Sequence, residues 1–181
     1  NGTLNANADA DNYGFVNSTS FINNGQFNAV GDAGQGYGLY LKSGVFENNG
    51  TVVATTTNDS EENSATSIYI ETGADYINHQ GGKLTLTPGK NGLGVDIQGG
   101  SFVNEANASV FAYGENENSV GINLDSGNLE NHGEMTITTS VDGGFGLTTS
   151  SGSVITNDGV LTFKVGGDSS AGVDFGGGTF N

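Results

Sequence analysis

Across its 181 residues the chain has no cysteine, no tryptophan and one proline, and its four basic residues, Lys42, Lys83, Lys90 and Lys164, are all lysine. Without cysteine there is no disulfide framework; the lack fits any compartment, but it suits a chain exported unfolded, where a premature disulfide would jam export. Four lysines against 20 Asp and Glu give a formal charge of −16, which excludes nucleic acid and anionic membrane surfaces as partners. No stretch approaches the ~20 apolar residues that span a bilayer, so this segment does not insert directly, and no basic run followed by an apolar one reads as a signal peptide. Apolar residues at helical spacing are also missing. Gly, Asn, Ser, Thr and Asp dominate, and these favour turns over helix.

What is present is repetition. The stretch "SFINNGQF" at 20–27 returns as "VFENNGTV" at 45–52 and as "NLENHGEM" at 128–135. A second element, Gly or Ser followed by alternating apolar residues, begins at Gly14, Gly38, Ser67, Gly94, Gly121, Gly146 and Gly172, with spacings of 24, 29, 27, 27, 25 and 26. A third, with apolar residues two apart, places Phe27 with Ala29, Val52 with Ala54, Leu84 with Leu86, Val110 with Ala112, Met135 with Ile137 and Leu161 with Phe163. Period two means strand, and the few apolar residues per repeat cannot build a compact core alone; stacked turns share one. The expected fold is therefore all-β: a right-handed parallel β-helix with three short strands per turn, about 26 residues per turn and six to seven turns, a rod of roughly 30 Å.

Three interior columns follow. One runs Leu39, Ile68, Val95, Ile122, Leu147, Val173; its neighbour runs Leu41, Ile70, Ile97, Leu124, Thr149, Phe175. The third is aromatic-rich, with Phe21, Phe46, Tyr76, Phe102, Leu129 and either Val154 or Ile155, where one extra residue implies a small bulge. Asn23, Asn48, Asn78, Asn104, Asn131 and Asn157 fall at one corner of successive turns, where each amide can bond backbone groups and the next Asn along the axis. The glycines that follow, Gly25, Gly50, Gly81, Gly133 and Gly159, are assigned a positive φ at that bend.

On these residues, and above all on "GYGLYLKSGVFENNGTVVAT" and "SVGINLDSGNLENHGEMTIT", the chain resembles the repeats of bacterial type V secreted proteins: autotransporter passenger domains and their large adhesin relatives. "FINN" and "FENN" also match the FxxN repeat of chlamydial polymorphic membrane proteins, but the companion GGA motif is missing, which sets that branch lower. The resemblance implies a Gram-negative surface or secreted rod, exported through a C-terminal outer-membrane barrel. The segment 1–181 then reads as one β-helix unit excerpted from a longer array.

Functional candidates are acidic. Glu71, Asp96 and Asp125, with Asp174, are outward positions of the Gly-anchored strand, the first three on consecutive turns at a diagonal spacing on the order of 8 Å. That spacing suits a carboxylate pair of a polysaccharide-processing β-helix or a calcium site, the one cofactor this face admits. No lysine gathers there to meet an anionic sugar, so a solvated acidic face is the blander reading. The longest insertion, 55–67, carries Asp59, Glu61 and Glu62 and is a candidate recognition loop. His79 and His132 read as turn residues two turns apart, and the Thr85/Thr87 and Thr136/Thr138 pairs form no unbroken threonine face, because Asn28, Val53 and Phe111 interrupt it. The expected function is a scaffold and binding surface without catalysis, meeting a surface receptor, a glycan or like molecules; the alternatives are the polysaccharide enzyme and a passive stalk.

Overall fold

The structure, a computed structural model, describes residues 2–8, 13–31, 36–57, 65–114, 117–140 and 142–181. Among these there is no helix, and every strand pair is parallel. The chain winds as a β-solenoid of about six turns with about 26 residues per turn. Each coil contributes to three faces. The first face stacks Tyr13–Asn17, Tyr37–Leu41, Thr66–Glu71, the starts of Leu93–Asn104 and Val120–Asn131, Phe145–Thr149 and Ala171–Phe175. The second stacks Phe21–Asn23, Gly44–Asn48, Ala74–Asn78, the ends of those two long strands, Ser153–Asn157 and Thr179–Phe180. The third is a separate seven-stranded sheet running from Thr3–Ala8 through Gln26–Gly31, Thr51–Thr56, Lys83–Thr87, Ser109–Gly114 and Glu134–Thr139 to Val160–Val165.

The three interior columns form in the expected register. Leu39 pairs Ile68, Val95 pairs Ile122, and Leu147 pairs Val173. Leu39, Ile68, Ile70, Ile97, Phe46, Tyr76 and Phe102 are all fully buried. Each such side chain contributes about 1.5–3 kcal/mol by leaving water. The aromatic column is a true stack: ring centroids are 5.0 Å apart for Phe21 and Phe46, 5.4 Å for Phe46 and Tyr76, and 5.0 Å for Tyr76 and Phe102. These separations follow the ~4.8 Å strand spacing, so parallel in-register pairing itself sets the ring contacts.

Two local expectations are corrected. Ile155, not Val154, fills the core column: it pairs Leu129 and is buried, while Val154 pairs Asn128 and is 36% exposed. No bulge marks the site, because the extra residue is absorbed in the preceding turn, where Gly152 takes φ 97°. Register shifts fall instead in Leu93–Asn104, between Ile97 and Ser101, where the strand rounds a corner without a break. The glycine assignment also changes. Of Gly25, Gly50, Gly81, Gly133 and Gly159, the positive φ belongs to Gly81 alone, at 82°. The others are glycine because coils touch there: a Cβ on Gly50 would lie 2.1 Å from the Gly25 carbonyl oxygen, which itself accepts a hydrogen bond from the Thr51 amide at 2.8 Å.

Candidate functional site

Three sets of chemistry-bearing side chains line the outside and the corners. The asparagine corner comes first, because it holds the rest in register. Asn23 donates to Asn48 Oδ1 at 2.8 Å, Asn48 to Asn78 at 2.8 Å, Asn78 to Asn104 at 2.9 Å, Asn104 to Asn131 at 2.8 Å and Asn131 to Asn157 at 2.7 Å. Each Nδ2 spends its second hydrogen on a backbone carbonyl one coil on, as Asn48 does on Lys83 at 3.1 Å and Asn104 on Glu134 at 3.2 Å. Every member the sequence assigns is in place, and the role is structural: Asn48, Asn78 and Asn104 are fully buried, with no room for a ligand.

The outer side of the first face is different. One outward column runs Val16, Tyr40, Tyr69, Asp96, Asn123, Thr148, Asp174. Beside it Tyr13 pairs Tyr37, and the four tyrosines cluster: Tyr13 stacks on Tyr37 at 5.4 Å and on Tyr40 at 4.7 Å, and Tyr69 lies 4.9 Å from Tyr37 and 5.4 Å from Tyr40. The Tyr40 hydroxyl donates to Glu71 Oε1, and that bond raises its pKa; burial raises those of Tyr37 and Tyr69. Asp96 is only 7% exposed, accepting at Oδ1 from Gln98 Nε2 at 2.9 Å and Asn123 Nδ2 at 2.8 Å. Burial pushes its carboxyl above the usual range, and the nearby Asp125 charge adds to this.

Glu71, Asp96 and Asp125 thus come together around Tyr69, each contributing to its raised pKa, but on different columns. Glu71 and Asp96 are engaged by a hydroxyl and by amides, whereas Asp125 is exposed. Among the described residues no three His, Asp or Glu side chains are placed to hold a metal ion. Asp59, Glu61 and Glu62 lie outside the described residues. The tyrosine cluster leaves no periodic mark in the sequence: Tyr37 and Tyr40 fall in one repeat and Tyr69 in the next, on outward positions that need not recur.

The outer side of that same asparagine corner carries the histidines and their carboxylates. Asn24, Asn49, His79, Glu105, His132 and Asp158 each follow a ladder asparagine. His79 Nε2 lies 3.0 Å from Glu47 and its Nδ1 3.1 Å from Glu105, so one imidazole clamps three coils. His132 Nδ1 lies 2.5 Å from Asp158, and Nε2 lies 3.6 Å from Glu130. Carboxylate contacts raise the pKa of both rings, that of His79 against the opposing effect of burial and that of His132 mainly through Asp158. The sequence shows these histidines two turns apart but not that carboxylates of neighbouring coils, Glu47 and Glu105 for His79 and Asp158 for His132, meet their rings. The corner between the third face and the first lines up Glu117, Asp142 and Asp168 on successive coils, with Lys90 3.2 Å from Glu117.

No protein-family model matches the chain, nor does any curated protein or any solved structure.

Proposed function

We propose that this chain is a rigid, non-catalytic binding scaffold, a segment of a secreted or surface-displayed bacterial adhesin of the autotransporter passenger type, whose outer columns meet a receptor, a glycan or a second copy of the chain. The observation that supports this reading is the parallel strand stacking that runs from Thr3–Ala8 to Thr179–Phe180, which sets outward positions of successive strands in rows of side chains. A binding surface needs such preorganised rows, because ordering them at the moment of binding would cost affinity. The engagement of Glu71 and Asp96 in hydrogen bonds also suits recognition better than proton transfer, since a general acid or base needs a proton path to substrate.

The test is where the protein goes and what it does there. Antibody against the folded chain should label intact producing cells, or detect the chain in their medium, and protease added outside should remove that signal. Confinement to the cytoplasm overturns the proposal. Release of reducing ends or unsaturated products from neutral or acidic polysaccharides, abolished by Asp96→Asn, overturns its non-catalytic half.

A further inference from the structure

The outward column of the first face changes height abruptly. Tyr40 and Tyr69 carry rings, and the next three residues, Asp96, Asn123 and Thr148, are short and polar. Tyr69 is the last ring before the drop. Tyr13 lies within 11° and 17° of the Tyr37 and Tyr40 planes, but Tyr69 is turned 59° and 44° from them. Among the described residues it packs on no other ring, and the next residue of its column is Asp96, so towards the following coils it borders the short polar ladder.

That ladder runs in one direction. Thr148 Oγ1 donates to Asn123 Oδ1 at 2.7 Å, Asn123 Nδ2 donates to Asp96 Oδ1 at 2.8 Å, and Gln98 Nε2 reaches the same oxygen at 2.9 Å. An amide nitrogen has two hydrogens and a carboxylate two oxygens. Among the described residues these bonds leave Asp96 Oδ2 as an acceptor, and one hydrogen on each of Asn123 and Gln98 as donors.

We propose that this step, with the Tyr69 ring as wall and Asp96, Gln98, Asn123 and Thr148 as floor, binds a neutral pyranose glycan. The proposal rests on the binding-scaffold reading and names its ligand class. A pyranose has an apolar C–H face to pack on an aromatic ring and hydroxyls that donate and accept at once, the complement of a floor offering both. Charge narrows the class. Glu71, Asp96 and Asp125 surround Tyr69 with no lysine among them, so uronic and sulfated sugars are repelled. A cationic peptide would favour a displayed row of free carboxylates, but Asp96 is recessed and hydrogen-bonded and Glu71 is taken by Tyr40.

The experiment presents the 181-residue chain to an array of neutral oligosaccharides ending in glucose, galactose, mannose or N-acetylglucosamine, with polylysine and heparin as further probes. Calorimetry on the strongest hit follows. Binding to a neutral glycan is expected, weakened about tenfold by Tyr69→Ala and by Asn123→Ala, retained in Tyr69→Phe, and unchanged by Phe111→Ala on the third face. Unchanged circular dichroism and thermal midpoint confirm that each variant is folded. Absence of neutral-glycan binding by the folded chain, binding that survives both alanine variants, or binding to polylysine or heparin alone overturns the proposal. A cytoplasmic location would sink the adhesin reading yet leave this binding intact; a displayed chain that ignores neutral glycans sinks only the site.

Discussion

Asn78 sits mid-ladder, accepting from Asn48 and donating to Asn104 and to the Ser109 carbonyl, fully buried. Truncation leaves the Asn48 amide, Asn104 Oδ1 and the part-buried Ser109 carbonyl short of partners, each at about 1–3 kcal/mol before relaxation. Asn78→Ala should cost about 3 kcal/mol in urea unfolding, and the half-buried terminal Asn157→Ala less than half as much. Equal costs would mean that the ladder is not coupled. Tyr76 offers the converse case. Its ring continues the Phe46–Phe102 stack, but among the described residues its buried hydroxyl has no partner in hydrogen-bond geometry, with the Asn48 side chain close by. Tyr76→Phe removes only that burden and should raise stability by about 1 kcal/mol; a loss of similar size would show that the hydroxyl is satisfied in solution.

Corners, more than strands, decide which coil fits on which. At the asparagine corner, backbone meets backbone so closely that Gly50→Ala must displace the Gly25 carbonyl from its bond to Thr51. A cost of about 1–3 kcal/mol is expected in chemical denaturation, and a neutral outcome would mean that the coils are farther apart than they stand here. The His79 clamp makes stability depend on pH. Its folded pKa lies above the unfolded value of 6.5, so the folded state holds the proton more tightly; the stabilisation is complete below about 6.5 and fades as pH rises through the folded value. His132, paired to Asp158, acts in the same direction. The thermal midpoint should therefore fall between pH 6 and 8, and this dependence should flatten in the His79→Gln, His132→Gln double variant. An identical slope in that variant would assign the effect elsewhere.

The molecule as a whole is a one-dimensional stack, in which each coil is held mainly by its two neighbours. Central columns are closed: Ile68, Ile97, Leu124 and Ile137 are fully buried. The last coil is not, with Val173 41%, Phe175 49% and Phe180 52% exposed. Hydrogen exchange on the 181-residue chain should show protection highest from 66 to 139 and lowest from 160 to 181. Uniform protection would mean all-or-none opening.

The interior was readable because it repeats. Side chains that stack on their own kind, such as Leu39 on Ile68 or Asn48 on Asn78, must recur at the same offset in every turn, so period and strand count, the three columns and the asparagine ladder all show in the residue order. Outward and corner chemistry obeys no such rule. Tyr37, Tyr40 and Tyr69 gather from two repeats, His79 lies between Glu47 and Glu105 of the coils on either side, and Gly50 is glycine because of a carbonyl 25 residues earlier. Those contacts run across coils rather than along the chain, and they come from the stacking distance and register, which exist only once the coils are wound.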